Sequence, residues 1–288
     1  MKMNRWKSGS VSLMLVFISI AGIAGGGWPQ PRGKGYFKLG QSYLLSPSFY
    51  DGNGNIIDLT PSYGYFATSL YAEYGFTDRL TGILYLPFFA RAIKNELKFN
   101  QLGVPSEPGD ALNSMGDADM AIKYGLIVNK PVVVSATVLF GLPLGDNGAN
   151  NANALQTGDG EFNQMLRVDV SHSFYPKRFY ISAYAGFNNR TRGFSDEVRC
   201  GAEIGFTLKK FIPIIKVNTA HSLFNGDAGL GITQGGIFSN NTEYISPTFE
   251  LNYQMTEKLG LSASMGTALV ARNILASPNF GFGVYWKM

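Results

Sequence analysis

From Lys34 to its end, the chain repeats one device: about ten residues alternating between two faces, a break, then another such run. In GDADMAIKYGLI, Ala118, Met120, Ile122, Tyr124 and Leu126 share one face, and Asp117, Asp119, Ala121, Lys123 and Gly125 the other. EFNQMLRVDVSHSF sets Leu166, Val168 and Val170 against Arg167, Asp169 and Ser171. EVRCGAEIGFTL sets Val198, Cys200, Ala202, Ile204 and Phe206 against Glu197, Arg199 and Glu203. A period of two is the spacing of a strand, and a helix built on these runs would scatter charge around its circumference.

The breaks alternate in length. Short ones fall at 77–79, 129–131, 176–178, 209–210 and 256–258. Longer stretches rich in Gly, Asn and Asp lie at 46–63, 93–115, 143–160 and 225–243, with lesser ones near 189–195 and 271–277. Between them the pattern predicts about twelve strands, over 34–44, 65–76, 80–92, 116–127, 132–142, 161–174, 179–188, 197–208, 211–224, 244–255, 259–270 and 278–288. An even count returns both termini to the short-turn side. Short turns at one end and long loops at the other point to a transmembrane antiparallel up-and-down β-barrel with periplasmic turns and extracellular loops.

Composition bears on the same point. Apolar residues make up 45% and charged residues only 15%, while mean hydropathy is +0.01. Apolar and polar residues are therefore finely mixed, as in strands with one face of each kind. A soluble β-sandwich also alternates, but its outer face carries more charge than this. Beyond the N-terminal region no apolar run approaches the ~20 residues of a spanning helix. Aromatic residues gather near run ends, Tyr74, Phe76, Phe174, Tyr175, Phe179, Phe206 and Phe211 at the short-turn side and Phe88, Phe140, Phe162, Phe187, Phe224 and Phe280 opposite. Amphipathic rings favour membrane–water interfaces, so two girdles are expected.

The N-terminus reads as an export signal. Lys2, Arg5 and Lys7 precede the apolar VSLMLVFISIAGIA, and Gly22 and Ala24 offer small side chains for a cut after Ala24. The expected organisation is a cleaved signal at 1–24, an N-terminal periplasmic segment at 25–33 and a barrel at 34–288. The formal charge of +4 then falls to about +1, because three of the 24 basic residues are removed against 20 acidic ones. No basic cluster suggests nucleic acid. One cysteine, Cys200, excludes an internal disulfide and makes a thiolate metal site improbable.

In the last run, NFGFGVYWKM, Phe280, Phe282, Val284, Trp286 and Met288 share a face. The run resembles the C-terminal signature strand of bacterial outer-membrane proteins, with Gly283 and Trp286 matching and Met288 standing where phenylalanine is usual. That resemblance implies recognition by the barrel-assembly machinery and a place among outer-membrane lipids. More widely, YGFTDRLTGILYLPFF, MGDADMAIKYGL and VLFGLPLGDN followed by TGDGEFN resemble the outer-membrane barrel family associated with phenol-degradation pathways. It implies a barrel that transports small, poorly soluble compounds, and brings no functional residues with it.

Enzymatic chemistry has little to work with. Both histidines precede a serine, His172-Ser173 and His221-Ser222, and neighbours in a strand point to opposite faces, so neither pair forms a nucleophile–base dyad. Asp110, Asp117, Asp119, Asp146, Asp159 and Glu161 could offer oxygen to Ca²⁺, but no ligand spacing is specified and turn chemistry explains them better. No metal or cofactor is therefore expected.

The inward face is more informative. Lys123, Arg167, Arg199 and Lys216 alternate in sign with Asp169, Glu203 and Glu250, giving a mixed lining rather than the one-signed wall of a charge-selective channel. Pairing across the 209–210 turn sets Glu203 opposite Lys216. The third run breaks the rule: with Leu80, Leu84, Leu86 and Phe88 outward, Ile83, Tyr85, Pro87 and Phe89 are expected inside. Such a patch either receives a hydrophobic solute or packs under a loop or the N-terminal GGGWPQPRG. The expected function is passive uptake of small solutes, hydrophobic ones among them. The alternatives are a non-transporting structural or partner-binding barrel and, third, a lipid hydrolase.

Overall fold

The computed structural model describes residues 26–98, 105–148, 155–227, 230 and 238–288; the expected export signal lies outside them. Twelve antiparallel strands form the wall. They are β1 (Gly35–Tyr50), β2 (Ile56–Gly75), β3 (Leu80–Lys94), β4 (Ala118–Ile127), β5 (Val132–Leu142) and β6 (Asn163–Ser173), then β7 (Phe179–Arg190), β8 (Glu197–Phe206), β9 (Phe211–Ser222), β10 (Glu243–Gln254), β11 (Leu259–Gly266) and β12 (Asn279–Lys287). Each pairs with its sequence neighbours, and β12 returns to β1 from Tyr36↔Lys287 to Leu44↔Asn279. Closure satisfies the backbone groups that an open edge would leave bare in lipid.

The alternation decides which face meets what. On β6, Leu166 and Val168 are exposed on the outer surface while Asp169 is buried inside. The same holds on β12, where Phe282, Val284 and Trp286 are exposed and Tyr285 is fully buried. An apolar band around the whole wall is untenable in water and is the surface a bilayer covers. Outward aromatic pairs mark its margins, with Phe174–Phe179 at 4.3 Å and Phe37–Trp286 at 5.6 Å on the short-turn side, and Phe140–Phe162 at 6.0 Å on the other. Among the described residues, no helix is long and apolar enough to cross a membrane.

Two features depart from expectation. The first loop, expected over 46–63, is mostly strand: β1 runs on to Tyr50 and β2 begins at Ile56. Only 51–55 turns, with Asp51 accepting the Asn53 and Asn55 amides at 2.8 Å and Gly54 in the left-handed region. Phe49, Leu59 and Leu275 bury one another where this hairpin continues past the rest of the barrel, and that packing keeps a Gly/Ser/Pro-containing stretch extended.

The second is a bulge in β3. Thr68 opposes Phe89 and Leu70 opposes Leu86, so one residue more lies on β3 than on β2. Pro87 sits at the break, lacking the N–H that a regular ladder needs. The extra residue reverses the facing beyond it: Phe88 and Phe89 are both exposed outside, and Ala90 and Ala92 are buried inside. Phe89 is thus not a lumen residue, whereas Ile83, below the bulge, opposes the inward Glu73 and Ala121.

Candidate functional site: the barrel lumen

Residues 26–32 belong to the N-terminal segment expected at 25–33. They turn back from β1 and cross the lumen near the short-turn end, over the inner faces of β2 to β7. Each contact is made by an inward side chain that the period of two places there. Lys123 donates to the Gly26 carbonyl at 2.8 Å, Ser135 donates to the Gly27 carbonyl, and the Gly27 amide donates to the Ser171 hydroxyl at 2.7 Å. The Gln30 amide donates to Thr81 and its side chain to Glu73, both at 2.8 Å. At the entrance, the Gly33 amide donates to the Gly75 carbonyl at 2.8 Å and the Gly75 amide to the Lys34 carbonyl at 2.9 Å, and a Cβ at Gly75 would lie 2.2 Å from the Pro31 carbonyl oxygen. Only glycine permits that approach.

The far wall at the same level is apolar. Tyr36, Tyr285, Ile212 and Ile214 bury one another with Tyr71 against them, Tyr36 and Tyr285 stacking at 5.5 Å. A charged chain joins the two halves. Trp28 meets the edge of Tyr180 at 5.5 Å, and Tyr180 donates to Glu203 at 3.0 Å. Lys216 lies 3.9 Å from Glu203 and 2.9 Å from Glu250, and Lys38 lies 3.7 Å from Glu250. Glu203 and Lys216 are register partners.

Higher in the lumen, Arg167 bonds Asp169 at 3.1 Å and stacks over Tyr184, and Thr137 donates to Asp169. Arg199 bonds Glu197 at 2.7 Å. Lys123, Arg167, Asp169, Arg199, Glu203, Lys216 and Glu250 all face inward, but apart from Lys123, which holds the Gly26 carbonyl, they form separate groups of paired charges. Tyr85 opposes Tyr71, and Ile83 lies on the same face two residues earlier.

Three inward tyrosines each oppose a glycine on the next strand: Tyr180↔Gly205, Tyr184↔Gly201 and Tyr285↔Gly260. A Cβ at any of these glycines would lie 2.2–2.4 Å from the ring. The rings therefore lie flat along the wall instead of across the lumen. Sequence reasoning missed them, although the cross-strand register would have revealed each pair. It missed Ile212 and Ile214 for another reason: in FIPIIK every position but the last is apolar, so no alternation shows which side is inside.

At the long-loop end, described residues of two connections bond or pack against inward side chains of the wall. Asp117 accepts the Gly145 amide at 2.9 Å and the Asp159 amide at 2.8 Å, pinning both ends of the 143–162 loop. Arg190 bonds Asp159, Glu161 and Glu197 at 2.7–2.9 Å. The Tyr65 ring meets Phe238 from the 223–242 loop edge-on at 5.8 Å. Burial pushes the Asp159 carboxyl up to about 6, nearby Asp117 adding to the rise and the Glu161 amide and Arg190 opposing it; burial raises Asp117 as well. Among the described residues, no three His, Cys, Asp or Glu side chains are arranged to hold a metal ion. The acidic residues weighed for Ca²⁺ at Asp117, Asp159 and Glu161 instead hold the loop.

The histidine–serine neighbours separate as strand geometry requires. His221 is on the outer surface with Glu243 and Arg272, while Ser222 is buried and bonded to Asn241.

A closed twelve-stranded antiparallel wall with an apolar outer belt and a polar, partly occupied interior defines a transmembrane β-barrel of the outer-membrane type. One solved structure shares the fold, and two others are similar at lower scores. An outer membrane channel from Pseudomonas putida F1 superposes with a TM-score of 0.61 at 14% identity, covering 92% of this chain and 99% of that one. The KdgM porin in complex with oligogalacturonate gives 0.48 at 7% identity, covering 87% and 98%. The deltaS2S3 mutant of the TodX monoaromatic hydrocarbon channel gives 0.47 at 11%, covering 90% and 91%. No family model and no curated protein matches the chain.

Proposed function

We propose that this chain is an outer-membrane channel for small solutes, exported with a cleaved signal and narrowed by its own N-terminal segment. The observation that carries the reading is how residues 26–32 occupy the lumen. The wall is complete without them, and they are held largely by single hydrogen bonds, donated by Lys123 and Ser135 and accepted by Ser171, Thr81 and Glu73. The neutral bonds contribute about 0.5–1.5 kcal/mol net each and those to Lys123 and Glu73 about 1.5–3, so the segment is displaceable in a way a packed apolar core is not. The mixed, self-paired lining favours uncharged or weakly charged solutes over strong anions or cations. Inward Ile83 and Tyr85 supply an apolar foothold, which suits solutes that gain about 25 cal/mol per Å² on leaving water. This is the substrate class that the phenol-degradation resemblance implies.

The test is single-channel conductance in planar bilayers, comparing the full barrel with one lacking residues 26–31. The deletion is expected to raise conductance while the barrel still folds. Unchanged conductance together with a large fall in heat resistance would favour a structural barrel whose segment is only filling. For the solute, Ile83→Ser should lower uptake of aromatic probes into vesicles and leave ion conductance equal or higher. Equal loss for polar and aromatic probes would remove the hydrophobic preference.

A further inference from the structure

The near-zero net charge of the mature chain hides an uneven distribution along the barrel axis. The short connections 76–79, 128–131, 174–178, 207–210 and 255–258 carry seven basic residues and two acidic ones. The long connections at the other end, 51–55, 95–117, 143–162, 191–196, 223–242 and 267–278, carry ten acidic residues and three basic ones. Two neighbouring short turns are the extreme case, with Lys177, Arg178, Lys209 and Lys210 exposed and no acidic residue between them. The Thr207 amide donates to the Arg178 carbonyl at 2.8 Å, so the four cations form one arc under β6 to β9. Among the described residues, no carboxylate forms an ion pair with any of them.

We propose that this arc is a docking surface for the headgroups of anionic phospholipids. It rests on the reading above that the short turns face the inner leaflet of the outer membrane. Three features favour a lipid over a soluble acidic protein. The four cations lie in the turns that join β6 to β7 and β8 to β9, which places them on the rim of the wall. It sits directly beside the outward rings of Phe174, Tyr175, Phe179 and Phe211, at the depth where aromatic side chains meet headgroups. Long Lys and Arg stems there reach phosphate while their methylenes stay against the acyl boundary. The acidic opposite end gives an anionic lipid no comparable site.

Native mass spectrometry of the full barrel in neutral detergent, with equal amounts of dioleoyl phosphatidylglycerol and dioleoyl phosphatidylcholine, tests the proposal. Phosphatidylglycerol should be retained in preference, and the preference should weaken as salt is raised. Replacing all four cations with glutamine should reduce it by about tenfold or more, and replacing the three lysines with arginine should preserve it. If the fourfold variant does not fold, Lys209→Gln with Lys210→Gln should still cause a partial loss, since both side chains lie in an exposed turn. No headgroup preference in the unaltered barrel would overturn the idea, as would a preference that survives the glutamine variants. Equal displacement by soluble glycerol phosphate would also overturn it, by showing a free-phosphate site. The channel reading is tested separately, because conductance on deletion of 26–31 is measured in neutral lipid and does not touch the arc.

Discussion

Gly205 and Lys216 show how single residues set the lumen. Tyr180 lies over Gly205 because no Cβ stands in the way, and from there it reaches both Glu203 and Trp28. Gly205→Ala should lift the ring, break the Tyr180–Glu203 bond and loosen the N-terminal segment. The expected cost is about 1–3 kcal/mol, from overpacking and one lost bond. Trp28 fluorescence should report it as a shift towards the solvent-exposed spectrum; an unshifted spectrum would mean that the ring does not position the segment. Lys216 is the cation shared by Glu203 and Glu250. Lys216→Met should lower heat resistance on gel electrophoresis, by about 1.5–3 kcal/mol for a bond between charged groups. Adding Glu250→Gln should restore part of it, because the Glu250 charge that Lys216 held at 2.9 Å is then no longer left without its nearer cation. Fully additive losses would show that the two side chains are not coupled.

Among elements, the 143–162 loop has the clearest dependence on conditions. The ends of this loop are tied to Asp117, and Asp159 faces Asp117, Arg190 and, through Arg190, Glu161 and Glu197. Both aspartates titrate above their ordinary range because they are buried. A carboxyl whose folded pKa is raised favours the folded loop most below the unfolded value, and that contribution is lost as pH rises through the folded one. The loop should therefore be better held at pH 5 than at pH 7.5, with the change centred near 6. Amide exchange at Gly145 and Asp159, corrected for intrinsic rates, should show greater protection at the lower pH. Asp117→Asn should flatten the difference, and an unaltered profile in that variant would assign the titration elsewhere. The N-terminal segment contrasts with this loop, since its polar ties run mainly to Lys123, Glu73 and hydroxyl groups.

For the whole molecule, the orientation follows from connection length and is directly testable. A small epitope inserted after Asn53, at the tip of the β1–β2 hairpin, should be labelled on intact cells. One inserted between Lys209 and Lys210 should be labelled only after the outer membrane is opened. Equal labelling of both would reverse or remove the assignment of short turns to the inner side, and with it the lipid-docking arc.

The sequence alone was sufficient for strand identity, for most facings and for the register of the charged pair Glu203–Lys216. Period two is a local property of the backbone, and short turns leave little freedom in pairing. Facing failed at Phe89, because a bulge depends on how two strands accommodate Pro87, which no single run reveals. It was illegible at Ile212 and Ile214, where both faces of the run are apolar. Only the tertiary structure decided what fills the barrel. Trp28, Ser135, Ser171, Thr81 and Arg190 lie far apart in the chain, and their side chains are ordinary polar or aromatic ones until closure brings them together. Alternation determines which way a side chain points; what it meets inside is settled by strands and loops many residues away, and no local pattern encodes that.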